Sequence, residues 1–171
     1  MRVITGIARG RKLVTLEGEE VVRPTTDRVK EAMFSIIQFD IPGKSVLDLF
    51  AGSGQLGIEA LSRGAEKAVF VDKSAEAFSV VKQNLKTCGL SDKATVINSD
   101  SFGFLRSTAE KFDIILIDPP YSRQMAETAL SLVDGVLKDG GIVMCETDYR
   151  EDLPEEVGDI KKFKEKGIEL L

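Results

Sequence analysis

The stretch SVLDLFAGSGQLGIEALSRG, residues 45–64, decides the fold. Its first six residues are apolar at nearly every position around one carboxylate, which fits a strand buried on both faces. A glycine-rich turn follows. Then GQLGIEALSRG spaces its apolar residues as an amphipathic helix does, and Gly64 ends it.

The same alternation continues down the chain. KAVFVD (67–72) is a second strand, and SAEAFSVVKQNLKTCG is a helix running to Gly89. ATVINSD (94–100) is a third strand, followed by a short helix around FGFLRSTAE. FDIILID (112–118) is a fourth strand, MAETALSLVDGVL (125–137) a helix, and GGIVMCE (140–146) a fifth strand. Strands of this kind, separated by helices, predict an α/β fold with a doubly wound, mostly parallel sheet and helices on both faces. In such a sheet ligands sit at the carboxyl ends of the strands. That places Asp48–Gly54, Asp72, Asp100 and Asp118–Tyr121 on one common edge.

Upstream the pattern changes. RVITGIARGRKLVTLEGEEVVRPTT has period-two stretches broken by glycine, which predicts a small N-terminal β-hairpin extension. TTDRVKEAMFSIIQF reads as a helix capped by Thr26 or Asp27, with Val29, Met33, Ile36 and Ile37 facing inward. The 171 residues therefore predict one domain, with residues 1–22 a hairpin appendage and 23–171 the α/β core.

Composition narrows the classes. With 43% apolar and 30% charged residues, the chain is expected to be a soluble globular protein. Its apolar runs fall well short of the ~20 residues a membrane span needs. Charges stand where a secretory leader would be apolar, so a cytoplasmic location without membrane attachment is expected. Cys88 and Cys145 have no CxxC partner and read as reduced thiols. There is no histidine, which excludes a Ser-His-Asp triad, and no metal is expected. The net charge of −5 argues against indiscriminate nucleic-acid binding. Even so, Arg2, Arg9, Arg11 and Lys12 crowd the first twelve residues with no acidic neighbour, either as a solvated surface or as a contact for a polyanion. A monomer is expected.

The glycine turn carries the first functional signal. Gly52, Gly54 and Gly57 form G-x-G-x-x-G between a strand and a helix, where the backbone can approach a ligand; a tight turn needs the same glycines for its dihedrals alone. Asp72 ends the next strand, where a carboxylate can accept both hydroxyls of a ribose. A dinucleotide would satisfy this much. Asp48, four residues before Gly52, instead favours a ligand bearing positive charge. Asp100 and Ser101 are polar groups suited to the edge of an adenine, although Asp100 could simply cap the helix that follows. S-adenosylmethionine has the adenine, ribose diol and cationic amino acid that these positions would meet.

DPPY, residues 118–121, ends the fourth strand. Pro119 and Pro120 lock the loop and leave carbonyls that only accept, and an ionised Asp118 also only accepts. Such a cluster suits an exocyclic amine on a nucleobase, which donates one hydrogen to Asp118 and one to the Pro119 carbonyl. Tyr121 offers a face on which a flipped base can stack. A proline-rigid turn with Asp118 as a cap and Tyr121 as core filler is the plain structural alternative.

Taken together, DLFAGSGQLGIEAL, VDKS, NSD and DPPY resemble the class I S-adenosylmethionine-dependent methyltransferases, with their Rossmann-like sheet. ITGIARGRKL and RPTTDRVKEAMFSII resemble the bacterial family that methylates the guanine N2 amine of 16S ribosomal RNA. The resemblance implies a cytoplasmic enzyme of rRNA processing. Asp48, Phe50, Gly52, Gly54, Asp72, Lys73, Asp100 and Ser101 would hold the cofactor, and Asp118, Pro119 and Tyr121 would act on the base. Arg9, Arg11, Lys12, Arg23 and Arg28 would contact RNA of the small ribosomal subunit, with the segment from Arg23 to Arg28 lying over the mouth of the site. The family ends in an antiparallel hairpin, whereas DIKKFKEKGIELL predicts at most one strand, so that hairpin is expected to be abbreviated or truncated.

Other classes remain in play at this level. DNA adenine or cytosine amino-methyltransferases share DPPY, a dinucleotide oxidoreductase would use the glycine loop, and a non-catalytic RNA-binding module would use only the basic segment.

Overall fold

The computed structural model describes residues 1–16, 27–119 and 123–146, apart from the side chains of Val29 and Arg123. Beyond these it describes four short strands near the C-terminus. Pro120, Tyr121, Arg23 and Thr26 lie outside the described residues.

The elements follow in order: α1 (Asp27–Ile37), β1 (Ser45–Leu49), α2 (Gln55–Ser62), β2 (Lys67–Asp72), α3 (Ala75–Cys88), β3 (Ala94–Asn98), α4 (Ser101–Ser107), β4 (Phe112–Ile117), α5 (Arg123–Val133) and β5 (Leu137–Cys145). Four short strands come last: β6 (Glu156–Val157), β7 (Ile160–Lys161), β8 (Phe163–Glu165) and β9 (Ile168–Leu170). One sheet has the order β3-β2-β1-β4-β5-β9-β8, with β1 to β5 parallel and β9 antiparallel to β5. The predicted doubly wound α/β sheet is present. The order reverses at β1, and chain crossovers on either side of it leave a crevice there.

Strand periodicity sorts the core into two layers. Val46, Ala68, Phe70, Ile114 and Leu116 pack with Met33, Phe34, Ile37, Ile58, Leu61, Val81 and Leu85, so α1, α2 and α3 cover that face. Leu47, Leu49, Val69, Val71, Ile115 and Ile117 point the other way, onto Phe104 of α4 and Ala126, Ala129, Leu130 and Val133 of α5. Each large apolar side chain buried this way contributes about 1.5–3 kcal/mol.

The two ends of the chain add detail to these expectations. Residues 1–16 pair antiparallel in a minimal form, one bridge between Arg2 and Lys12 with the Val3 N–H donating to the Arg11 carbonyl and the Leu13 N–H to the Met1 carbonyl, and residues 17–22 lie outside the described residues. This segment is held on the core. Val3, Ala8 and Leu13 are buried in the first core layer, because their apolar side chains have the faces of α1 and α2 to cover. The helix expected over 125–137 ends at Val133, with a 3-10 turn at Asp134–Val136, and Leu137 already belongs to β5 beside Phe112. Finally, DIKKFKEKGIELL, expected to hold at most one strand, contains three short ones, β7, β8 and β9. β8 and β9 pair antiparallel, and β9 covers the edge of β5 through Met144 and Leu170. These strands are only three residues each, too short to show a pattern in sequence.

Candidate active site

The loop leaving β1 is held by its neighbours on the sheet. The Ala51 N–H donates to the Val71 carbonyl at 2.9 Å, and the Gly52 N–H donates to Asp72 Oδ2 at 2.9 Å. Asp72 Oδ1 accepts the Ser74 N–H at 2.9 Å. A carboxylate has about four acceptor positions. With one bond on each oxygen, Asp72 braces two loops and retains capacity for a diol. Phe50 sits at φ 61 and sets its ring edge-on to Phe102, 5.7 Å between centroids. A left-handed phenylalanine is a strained residue, and such strain persists where surrounding structure enforces it.

Two glycines are required here by geometry. Gly54, the residue before α2, has φ 82, and a Cβ there would stand 3.2 Å from both Val81 methyls. A Cβ on Gly57 would lie 2.4 Å from the Phe70 ring and 3.1 Å from Asp48 Cβ. The missing side chain lets α2 settle directly onto β1 and β2.

Asp48 lies beneath this contact, 1% exposed, and its Oδ2 accepts the Gly57 N–H at 2.9 Å. Gly54 has no side chain to cap α2, so the strand carboxylate does the capping. Asp100 is the N-cap of α4, accepting the Gly103 N–H at 2.9 Å, and Ser101 is buried behind it. Lys73 is exposed.

β1 runs beside both β2 and β4, with Leu49 next to Val71 and Ile117. The glycine loop, Asp72 and Asp118–Pro119 therefore leave the sheet side by side. Asp118 and Pro119 are half-buried. Asp100 joins this edge through β3, whose Asn98 pairs with Asp72.

Arg9 is carried away from that edge by the N-terminal segment. The N-terminal segment runs along α2: Met1 lies against Ser53, the Ile4 and Thr5 N–H groups donate to Glu59, and the Ile7 and Ala8 N–H groups donate to Ser62. Arg9 follows the turn at the far end of the helix, about 12 Å from its start. Arg9, Arg11, Lys12 and Arg28 are all exposed.

Several buried polar residues escaped the sequence reading. Glu59 is fully buried and accepts Ile4 N–H, Thr5 N–H and Arg63 Nε, with the Lys30 ammonium 3.5 Å away. Lys30, also fully buried, donates to the Arg2 carbonyl; burial pushes its pKa down, while Glu59 pulls it back up. Asn84 accepts from the Val14 N–H and donates to the Val14 and Ser53 carbonyls, each within 2.9 Å. Gln55, the first residue of α2, is 5% exposed and its Oε1 has no hydrogen-bond partner. The signal for Glu59, Lys30 and Asn84 was a polar residue inside an apolar helical stripe: Asn84 sits among buried Ala77, Val81 and Leu85.

Comparison with known proteins adds the following. Residues 1–169 match the family described as "Conserved hypothetical protein 95". The chain is 45% identical over 165 residues to the Bacillus subtilis protein named "Putative rRNA methyltransferase YlbH", covering 94% of this chain and 89% of that one. It is 41% identical over 158 residues to "Ribosomal RNA small subunit methyltransferase D" of Haemophilus influenzae, covering 90% and 81%. The solved structure "Putative methyltransferase yhhF from Escherichia coli" matches with a TM-score of 0.83 at 31% identity, covering 99% of this chain and 94% of that one.

Proposed function

The chain belongs to the family described as conserved hypothetical protein 95, and from that premise we propose that it is a ribosomal RNA methyltransferase using S-adenosylmethionine, acting on the N2 amine of a guanine in 16S rRNA. The observation that carries this reading is the adjacency of β1 and β4, with Leu49 beside Ile117. It sets the glycine loop next to Asp118 and Pro119.

The donor set fits the cofactor. Asp72 meets the ribose diol, Asp100 and Ser101 the adenine edge, and the loop from Phe50 to Gly54 the remainder, with Asp48 supporting that loop from below. When bound, the cofactor supplies an electrophilic methyl group. The protein's part is to hold the amine. Asp118 and the Pro119 carbonyl each accept a hydrogen bond from one of its N–H groups, which draws the nitrogen lone pair out of conjugation and aims it. Tyr121 stacks on the base. No histidine is needed, because the alkylated nitrogen becomes acidic and gives up its proton readily. Orientation supplies most of the acceleration.

Arg9, Arg11, Lys12, Arg23 and Arg28 contact phosphates. With the Arg9 turn at the far end of α2, the phosphates that Arg9 meets lie away from the methylated base, as in a folded RNA rather than a short strand.

The test is transfer of labelled methyl from S-adenosylmethionine into 16S rRNA, small subunits or duplex DNA, followed by nucleoside identification. N2-methylguanosine from the ribosomal substrates is expected. Label confined to DNA, or to another position of the base, rejects the proposal.

A further inference from the structure

Asn84 of α3 joins two segments that lie 39 positions apart in sequence, Val14 and Ser53, through one buried amide. Its Nδ2 donates to the Val14 carbonyl and to the Ser53 carbonyl, each at 2.9 Å, and its Oδ1 accepts the Val14 N–H at 2.8 Å. Both amide hydrogens are used, one on each segment.

The Ser53 contact matters because glycine flanks it. Gly52 and Gly54 stand at φ 58 and 82, and glycine adopts positive and negative φ about equally well. A peptide between two glycines therefore turns over at little cost unless it is held. Here the Ser53–Gly54 peptide is held at both ends: the Gly54 N–H donates to the Ala51 carbonyl at 2.8 Å, and the Ser53 carbonyl accepts from Asn84. Ala51 belongs to the loop itself, whereas Asn84 anchors the loop to a helix.

The Val14 contact fixes the basic segment. Arg11 and Lys12 lie just before it, and the Val3 N–H to Arg11 carbonyl and Leu13 N–H to Met1 carbonyl bonds make residues 1–13 one unit. Asn84 engages both backbone groups of Val14, as a neighbouring strand would, and so sets where that unit ends against the core.

We propose that Asn84 is a positioning residue for both substrates at once, one amide setting the cofactor loop on one side and the RNA-contacting segment on the other. It touches neither ligand. The inference rests on the reading under Proposed function, in which the loop holds the cofactor and Arg9, Arg11 and Lys12 meet phosphates.

The experiment is steady-state methyl transfer into 16S rRNA by the full chain, varying S-adenosylmethionine and RNA in turn, with thermal unfolding alongside. Asn84→Leu is close in volume and removes all three bonds. It is expected to raise the KM for the cofactor about tenfold and the KM for RNA about threefold. Asp118 and Pro119 follow β4 rather than α3, so kcat is expected to stay within about twofold. A residue needed only for stability would lower the fraction of folded enzyme, which lowers apparent kcat and leaves both KM values alone.

A fall in kcat alone, a rise in one KM alone, or no change overturns the inference while the function reading stands. Should Asn84→Leu fail to fold, the unaltered chain decides. Its Asn84 side-chain amide signals in NMR are expected to shift when S-adenosylhomocysteine is added, and signals that do not move overturn the inference. If the unaltered chain transfers no methyl group to the RNA, the function reading itself fails and takes the inference with it.

Discussion

Asp72 and Asp113 stand at opposite ends of the same sheet and show how differently one residue type is used. Asp113, near the start of β4, accepts the Ser45 N–H and Oγ–H at 2.9 and 3.0 Å, and Lys138 lies 3.5 Å away. All three bonds fall on Oδ2, and together they tie the starts of β1, β4 and β5. Asp72, at the end of β2, spreads two backbone N–H groups over both oxygens and braces two loops. The lower carboxylate closes a structural junction. The upper one shapes a loop and stays able to accept. In a parallel sheet the helices start where strands end, so backbone N–H groups and glycine turns collect at the carboxyl edge and function collects with them.

This contrast can be broken by substitution. Upper-edge changes should cost function, and lower-edge changes should cost stability. The largest expected effect is from Asp118→Ala: methyl transfer should fall about 10³-fold, roughly 4 kcal/mol, with the urea midpoint nearly unchanged. A large drop in the midpoint would instead place Asp118 with the structural carboxylates.

Gly57→Ala comes next, and it sharpens the comparison because it sits where the upper edge meets the core. Its Cβ would fall 2.4 Å from the Phe70 ring. A loss of about 3 kcal/mol in denaturant unfolding is expected. A Cβ on Gly135 meets nothing within 4 Å, so Gly135→Ala serves as the neutral control.

Asp72→Ala should weaken S-adenosylhomocysteine binding by about 2–3 kcal/mol in calorimetry, through the lost diol contact and the loosened Gly52 loop. Equal binding by the variant would remove Asp72 from the site. Asp113→Asn should leave cofactor affinity intact and lower stability by about 1–2 kcal/mol.

The smallest effect is in pH. Burial pushes the Asp113 carboxyl upward, but the Ser45 donors and Lys138 outweigh it and hold the group below its ordinary value of 3.8. A carboxyl depressed in the folded state binds fewer protons there than when unfolded. Its contribution is therefore complete above pH 3.8 and is lost as pH falls through the lower, folded-state value. Acid unfolding of Asp113→Asn should show a shallower dependence in that range.

Much of this was legible in advance because it is local. The periodicity of residues 45–64 and the end of α3 at Gly89, where the backbone is left-handed, are properties of neighbouring residues. So is the placing of Asp48, Asp72, Asp100 and Asp118 at or near strand ends. Asp100 does cap α4, one of the two roles open to it in sequence. The folding of residues 1–16 along α2 was not legible. Glu59 and Asn84 receive backbone groups more than fifty positions away, and no local spacing encodes such partners.

The amino-acid order by itself determined which segments are strands, where each one ends and which chemical groups stand at those ends, since backbone propensity and apolar period act over a few residues. Only the tertiary structure decided that β1 lies between β2 and β4, that Asp48 turns under α2 to cap it, and that Gln55 is buried with its Oε1 unbonded. Strand order and burial depend on which distant surfaces must cover one another to exclude water.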